Sequence, residues 1–353
     1  MIWWILNQAG LAPASFIGGE FCGLGKAGCF GTGASAVVES CEYREAFLAL
    51  CPQTLVLTGV EPDHFDCFET HMQADQTFRK FVGKLTSDGT LVVNTANSRA
   101  MEVAGAARGR VVTYGTSKTC DWRVSGLTSL AGKLSNDGRL WSYQQTFELT
   151  GPGASPCQVS IQVPGAHNVE NALAAIVAAT VEGIPAKQAA LHIASFPGMR
   201  RRFEYRGNWR GIDLIDDYAH HPTAIRATLR AARDVFPGRR LIAVFEPHQV
   251  SRTENLFQEF KRALEVADEC LILPVLPARE TASQATCCRL SGQMVRGISE
   301  AGGRAFLMAN LDHVLGRLDH AARPGDVVIT MGAGRTNQIH DEIHRRLQRD
   351  SAA

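Results

Sequence analysis

The sequence predicts an α/β protein of two domains whose parallel sheets are covered by helices. Three observations predict it. Apolar, β-branched runs of strand length alternate with amphipathic runs of helix length through the whole second half, as in a parallel sheet buried on both faces. The 353 residues can fill two cores at roughly 150 residues per domain. Hydrophobic residues make up 45% and charged residues 20%, which excludes disordered and fibrous classes.

Each element follows from local signals. Ile2, Ile5, Leu6 and Ala9 share one face of a helix that Gly10 ends. Strands are expected at 36–39, 54–60 and 91–94. A long apolar helix follows, with Asn168 as its expected cap, Val169, Leu173, Ile176, Val177 and Thr180 on one face, and Gly183 with Pro185 at its end. A short helix then leads to Phe196-Pro-Gly198, the expected boundary, which gives domains at 1–197 and 198–353. In the second domain, 214–217, 241–245, 271–273 and 327–330 read as buried parallel strands. Pro222 occupies a favoured first helical position and opens a helix with Ile225, Leu229, Ala232 and Phe236 on one stripe. Arg226, Arg230 and Arg233 are expected to face water, and Pro237-Gly238 stops the helix.

Charge and composition narrow the function. Thirty-six Lys plus Arg against thirty-five Asp plus Glu leaves +1, so no global field suits nucleic acid or an anionic membrane. The longest apolar stretch, 172–181, is too short to span a bilayer, so no membrane insertion is expected. The first basic residue is Lys26, which removes the charged front of a secretory signal and makes the cytoplasm the expected address. Ten cysteines without a Cys-x-x-Cys spacing read as small core fillers rather than disulfides or a zinc site.

In open α/β sheets ligands collect at the carboxyl ends of strands. Four such ends carry polar clusters. Glu39 closes one strand and His64 stands in Glu61-Pro-Asp-His-Phe-Asp66 after another. These two are candidates for one divalent ion; the alternative is a histidine oriented by Asp63 or Asp66 in an ordinary turn. Ile215-Asp-Asp-Tyr-Ala-His-His-Pro222 puts Asp216, Asp217, His220 and His221 directly before a helix. They suit a sugar hydroxyl and neutral imidazole at the dipole-positive end, or plain helix capping. Phe245-Glu-Pro-His-Gln-Val-Ser-Arg252 offers His248 and Arg252 for a carboxylate or phosphate. Met199-Arg-Arg-Arg-Phe203 is a cationic knot suited to phosphate. Gly332-Ala-Gly334 lacks the dinucleotide fingerprint because Asn stands at 337. Gly23-Leu-Gly-Lys-Ala27 fails as a P-loop because Glu20 and Ala27 break the pattern.

Taken together, Val38-Glu39 with Glu42, Pro62-Asp-His-Phe-Asp66, Ala166-His-Asn-Val-Glu-Asn171, Arg201-Arg-Phe203, Asp216-Asp-Tyr-Ala-His-His-Pro222 and Pro247-His-Gln-Val-Ser-Arg-Thr253 resemble the Mur ligase family. Its members are ATP-dependent enzymes that join amino acids to peptidoglycan precursors. The resemblance implies a central ATPase domain, truncated at its start, at 1–197, and a Rossmann-like carboxyl-terminal domain at 198–353. It implies no P-loop and no UDP-binding domain within these residues, with a separate polypeptide as a possible source of the latter. The implied activity joins an amino acid, L-alanine first, to the carboxylate of UDP-N-acetylmuramate through an acyl phosphate. Alternatives are a murein tripeptide ligase of cell-wall recycling and a non-catalytic relative that binds nucleotide or a partner.

Carried over by position, Glu39 and His64 match the family's magnesium ligands. Asn168, Asn171, Arg202 and Asp217 match its ATP-binding positions, while Tyr218, His220, His248 and Arg252 match the substrate side. Arg202 would stabilise the transferring phosphoryl group, and His220 would take the proton of the incoming ammonium. Ser40-Cys41 departs from an acidic neighbourhood, and Gln249 stands where arginine is frequent.

Overall fold

The computed structural model describes the backbone of residues 1–25, 27–68, 70–134 and 141–352, and their side chains apart from 71, 131–134, 141–142 and 349–352. Lys26 of the glycine-rich stretch lies outside the described residues. The chain divides into two compact units, one built on Met1–Leu130 and Tyr143–Gly198, the other on Met199–Ala353.

The first unit opens with helix α1 (Ile2–Gln8), whose Ile5 and Leu6 are buried as their spacing requires. Strands β1 (Ala14–Phe16), β2 (Gly28–Cys29) and β3 (Ala36–Val38) form a small sheet in the order β2-β1-β3. A larger sheet follows, from β4 (Thr54–Leu57), α2 (His71–Val82), β5 (Thr90–Asn94), α3 (Ser98–Ala104), β6 (Arg110–Gly115), β7 (Trp122–Leu134), β8 (Trp141–Gly151) and β9 (Ala154–Ile161). Its six strands run in sequence order; β4 to β7 pair in parallel, and β8 with β9 antiparallel. The long strands from 122 to 161 escape sequence reading because solvated antiparallel strands carry many polar residues. At Gly151 a Cβ would stand 2.2 Å from the Trp122 ring, so only glycine lets the two strands meet there.

Two helices complete the unit, α4 (Ala166–Val181) and α5 (Ala186–Ile193). Every residue from Ala172 to Ala179 is buried, because α4 packs against α1, α5, β4, β5 and β6 at once. Its start differs from expectation. The cap is Gly165, at φ +96°, and Asn168 sits inside the first turn, donating to the Pro164 carbonyl at 2.6 Å.

The second unit contains β10 (Glu204–Trp209), β11 (Ile212–Asp217), α6 (Pro222–Val235), β12 (Leu241–Phe245), α7 (Val250–Asn255), α8 (Phe257–Leu264), β13 (Glu269–Ile272), α9 (Gln284–Glu300), β14 (Ala305–Leu307), α10 (Leu311–Ala321), β15 (Val327–Met331) and α11 (Gln338–Ala352). Strand order is β10-β11-β15-β12-β13-β14, parallel throughout except for the β10 hairpin with β11. Met331 pairs with both Asp217 and Phe245, so three strands end at one level. Ile225, Leu229 and Ala232 of α6 are buried as predicted. Arg233 is not a solvated residue: it donates to the carbonyls of Val266 and Arg239 and pairs with Asp268 at 2.9 Å. The cysteines are also less buried than expected, since among the described residues only Cys270 and Cys287 are fully enclosed and all ten are free of disulfides.

Glu269 shows how this sheet tolerates a buried charge. Its side chain is 1% exposed and meets Arg240, Arg304 and Arg317 at 2.9, 3.1 and 3.0 Å. Glu269→Ala would leave three guanidinium groups without their shared anion, an expected loss of about 3 kcal/mol, at the low end because those arginines keep some solvent contact. Urea unfolding of the second unit checks this, and an unchanged midpoint would refute it.

Candidate functional site

The level strand ends of the second unit present three loops side by side, at 218–221, 246–249 and 332–337. Asp217 fixes the first. Buried at 7% exposure, it accepts the Phe203 N–H on one oxygen and the Ala219 N–H on the other, each at 2.7 Å. One carboxylate therefore ties the arginine turn to the loop after β11. The Tyr218 N–H closes the link by donating to the Arg201 carbonyl at 2.7 Å.

The candidate side chains then follow one another in contact. The guanidinium groups of Arg201 and Arg202 lie 5.0 and 5.2 Å from the Tyr218 ring centre, within cation–π range. The rings of Tyr218 and His220 stand 5.1 Å apart, and those of His220 and His248 stand 5.8 Å apart. His220 Nδ1 lies 2.9 Å from the Tyr218 carbonyl, which only accepts, so Nδ1 carries a hydrogen and donates it there. Arg252, 1% exposed, donates to His248 Nδ1 and to the His248 carbonyl, both at 3.1 Å. His248 therefore carries its proton on Nε2. His221 does what the capping alternative expected, accepting the Thr223 N–H at the start of α6.

Behind this row lies a buried polar chain. Arg201 donates to the Gly332 carbonyl at 2.7 Å and pairs with Asp216 at 3.4 Å. Asp216 accepts the Thr330 hydroxyl at 2.8 Å, and that hydroxyl meets His340 Nε2 at 2.7 Å. Burial raises the Asp216 carboxyl, offset by Thr330 and Arg201. Burial, reinforced by the charges of Arg206 and His344, pushes the His340 imidazole down to about 3, so it is neutral and donates toward Thr330. The glycine turn has a structural reason as well: a Cβ at Gly334 would stand 1.9 Å from Glu246 Oε2, which accepts the Arg335 N–H at 2.9 Å.

The first unit carries a second cluster. His64 Nε2 lies 3.2 Å from Glu42 Oε1, and donor atoms of Cys41, Glu42 and His64 all fall within 4.8 Å of one another. Burial pushes the Glu42 carboxyl up, but the His64 hydrogen bond and charge outweigh it, holding the group below its ordinary range. His64 has φ +53°, uncommon for a side-chain-bearing residue, and its N–H donates to Asp63 Oδ1 at 2.7 Å. Glu39 is exposed and stands outside that trio; its Oε2 accepts the Gly18 N–H at 2.7 Å. Cys41 was hidden from sequence reading because its partner in space is 23 positions away, and no Cys-His spacing rule reaches that far. Asn168 and Asn171 occupy the first turn of α4, where Asn171 is exposed and donates to Asn168 Oδ1 at 3.2 Å.

Comparison with known proteins gives these clusters a context. Residues 33–179 match the profile of the Mur ligase middle domain, and residues 201–334 match that of the Mur ligase glutamate ligase domain. The chain is 38% identical over 338 residues to the UDP-N-acetylmuramate–L-alanine ligase of Renibacterium salmoninarum, covering 95% of this chain and 68% of that protein. It is 32% identical over 339 residues to the enzyme of the same name from Caldanaerobacter subterraneus subsp. tengcongensis, covering 96% and 71%. The crystal structure of UDP-N-acetylmuramate-alanine ligase from Thermotoga maritima superimposes with a TM-score of 0.76 at 22% identity, covering 99% of this chain and 72% of that one. The murein peptide ligase of Psychrobacter arcticus gives 0.71 at 24%, covering 98% and 73%. At these identities the two structures establish the fold.

The His340 shift predicts a pH dependence. The folded state keeps this imidazole neutral to about pH 3, while the unfolded chain binds a proton below its ordinary value of 6.5. The contribution is therefore intact above pH 6.5 and drains away as pH falls toward 3, by about 1.4 kcal/mol per pH unit. Urea unfolding of His340→Gln at several pH values should show a slope shallower than that of the parent by this amount. Parallel pH profiles would show that His340 is not held neutral.

Proposed function

The chain belongs to the Mur ligase family, and on that premise we propose that it joins L-alanine to the carboxylate of UDP-N-acetylmuramate, driven by ATP, in the cytoplasmic phase of peptidoglycan synthesis. The supporting observation is the unbroken row Arg202, Tyr218, His220, His248 and Arg252, which spans the ends of β11 and β12 on either side of β15. Cations stand at both ends of the row and imidazoles at its middle, which suits a phosphorylated carboxylate and an incoming amine. Among the described residues, no helix is long and apolar enough to cross a membrane.

The reaction requires a carboxylate oxygen of the muramoyl substrate to attack the terminal phosphorus of ATP, releasing ADP and forming an acyl phosphate. The amine of L-alanine then attacks that carbonyl, and phosphate leaves as the amide forms. Both steps gather negative charge. Arg202, exposed at the end of the row, offers a guanidinium fork to phosphoryl oxygens. His220, with Nδ1 engaged by the Tyr218 carbonyl, offers Nε2 to the proton that the ammonium must lose. Arg252 keeps His248 in the tautomer that presents an N–H outward, a donor for a carboxylate. Asp217 acts through these residues, holding Arg202 and Tyr218 in place with both oxygens on backbone amides. Asn168 and Asn171 offer carboxamides to the nucleotide at the start of α4.

Mg2+ is the implied metal, and the donor chemistry of the first unit fits a divalent cation. Glu42 and His64 present a carboxylate oxygen and an imidazole nitrogen 3.2 Å apart, and Glu39 stands near in sequence with an exposed carboxylate. When bound, the ion neutralises phosphate oxygens. The alternatives of tripeptide ligation and of a non-catalytic relative are separated by the same assay.

Phosphate release from ATP is expected to require both UDP-N-acetylmuramate and L-alanine, with and without a second polypeptide carrying a UDP-binding domain. His64→Ala and Arg202→Ala should each lower it on the order of 100-fold. Release that depends on murein tripeptide but not on L-alanine would move the reaction to recycling. Binding of ATP without release in any arm would favour the non-catalytic reading.

A further inference from the structure

We propose that Cys41, Glu42 and His64 form a site for a thiophilic divalent cation of the zinc class, which competes with Mg2+ for the two ligands they share. The inference rests on the metal reading above and deepens it. A thiol, a carboxylate and an imidazole with all donor atoms inside 4.8 Å form a sulfur, oxygen and nitrogen set. Mg2+ is a hard ion that wants six oxygens and gains little from a thiolate, whereas Zn2+ is commonly bound by these three ligand types. Affinity for nitrogen, oxygen and sulfur sites also rises along the first-row divalent metals toward copper and zinc.

The spacing of two of the three ligands already matches that of a loaded site. Two ligand atoms each about 2.1 Å from a tetrahedral centre stand about 3.4 Å apart. Glu42 Oε1 and His64 Nε2 are 3.2 Å apart. Glu42 Oε1 accepts a hydrogen bond from His64 Nε2 in the metal-free pair; a cation between them takes the Nε2 lone pair once the imidazole hydrogen has shifted to Nδ1. Cys41 gives up its thiol proton to solvent and enters as thiolate. Nothing is oxidised, and each Zn2+ bound displaces one proton, that of the Cys41 thiol. Cys41 is exposed while Glu42 and His64 are half-buried, so the soft ligand lies on the side from which an ion arrives. The left-handed backbone at His64, held by Asp63, fixes the ring in this direction. Three protein ligands leave a fourth tetrahedral position open, whereas the phosphate chemistry of Mg2+ needs several.

Cobalt is the probe, because Co2+ takes zinc sites and reports a bound thiolate as a ligand-to-metal charge-transfer band. Titrating the full chain with Co2+ should raise such a band to one equivalent, and one equivalent of Zn2+ should erase it. Cys41→Ser should abolish the band and weaken Zn2+ at least about 100-fold. His64→Ala should weaken Co2+ and Zn2+ similarly. Cys67→Ser serves as the control, since Cys67 Sγ accepts the Arg44 N–H at 3.3 Å beside the cluster. A band that survives Cys41→Ser but disappears with Cys67→Ser overturns the assignment. So does the absence of any band while Mn2+ binding, followed by its paramagnetic resonance, is present and lost in His64→Ala; in that case the magnesium reading stands alone. If neither Mn2+ nor Co2+ binds and His64→Ala changes nothing, the metal reading itself has failed and this inference with it.

Discussion

The chemistry of the second unit depends on one buried carboxylate. Asp217 ends a parallel strand and spends both oxygens on backbone amides, one in the turn that carries Arg202 and one in the loop that carries His220. A carboxylate so used cannot swing toward a ligand without releasing two amides into a low-dielectric interior, which is costly. It thus works as a rivet. The row of Arg202, Tyr218, His220 and His248 keeps its order because the loops on either side of Asp217 share this anchor and because β11, β15 and β12 end level.

Burial is handled differently at each neighbouring acid. Asp216 passes its demand through Thr330 to a neutral His340 and takes its counter-charge from Arg201. Glu246 is pushed up by burial but finds a backbone N–H across a glycine turn that no larger residue fits. Glu269 gathers three arginines from separate elements. The solutions at Asp216 and Glu246 place positive charge or a donor where parallel strands finish, which is where an anionic substrate needs it, whereas Glu269 and its arginines stand at the opposite, amino ends of the strands.

The first unit concentrates its chemistry in an irregular segment. Cys41 and Glu42 follow β3, and Arg44 and Glu45 adopt left-handed backbone directly after them. Such conformations cost roughly 1–3 kcal/mol each and persist where surrounding structure demands them. Just before them in the chain, Glu42 rather than Glu39 reaches His64.

The sequence alone determined the alternation of buried strands and helices, because hydrophobic periodicity and Pro or Gly stops are written locally. It also marked which strand ends carry titratable side chains, since those stretches are contiguous. Partnership across the fold was beyond it. That Glu42 and Cys41 meet His64, that Asp217 braces a turn 14 residues earlier, and that Arg233 ties loops instead of facing water were decided by tertiary structure. The physical reason is common to all three: a side chain's partner is chosen by sheet register and loop path, and neither is encoded within a few residues of the side chain itself.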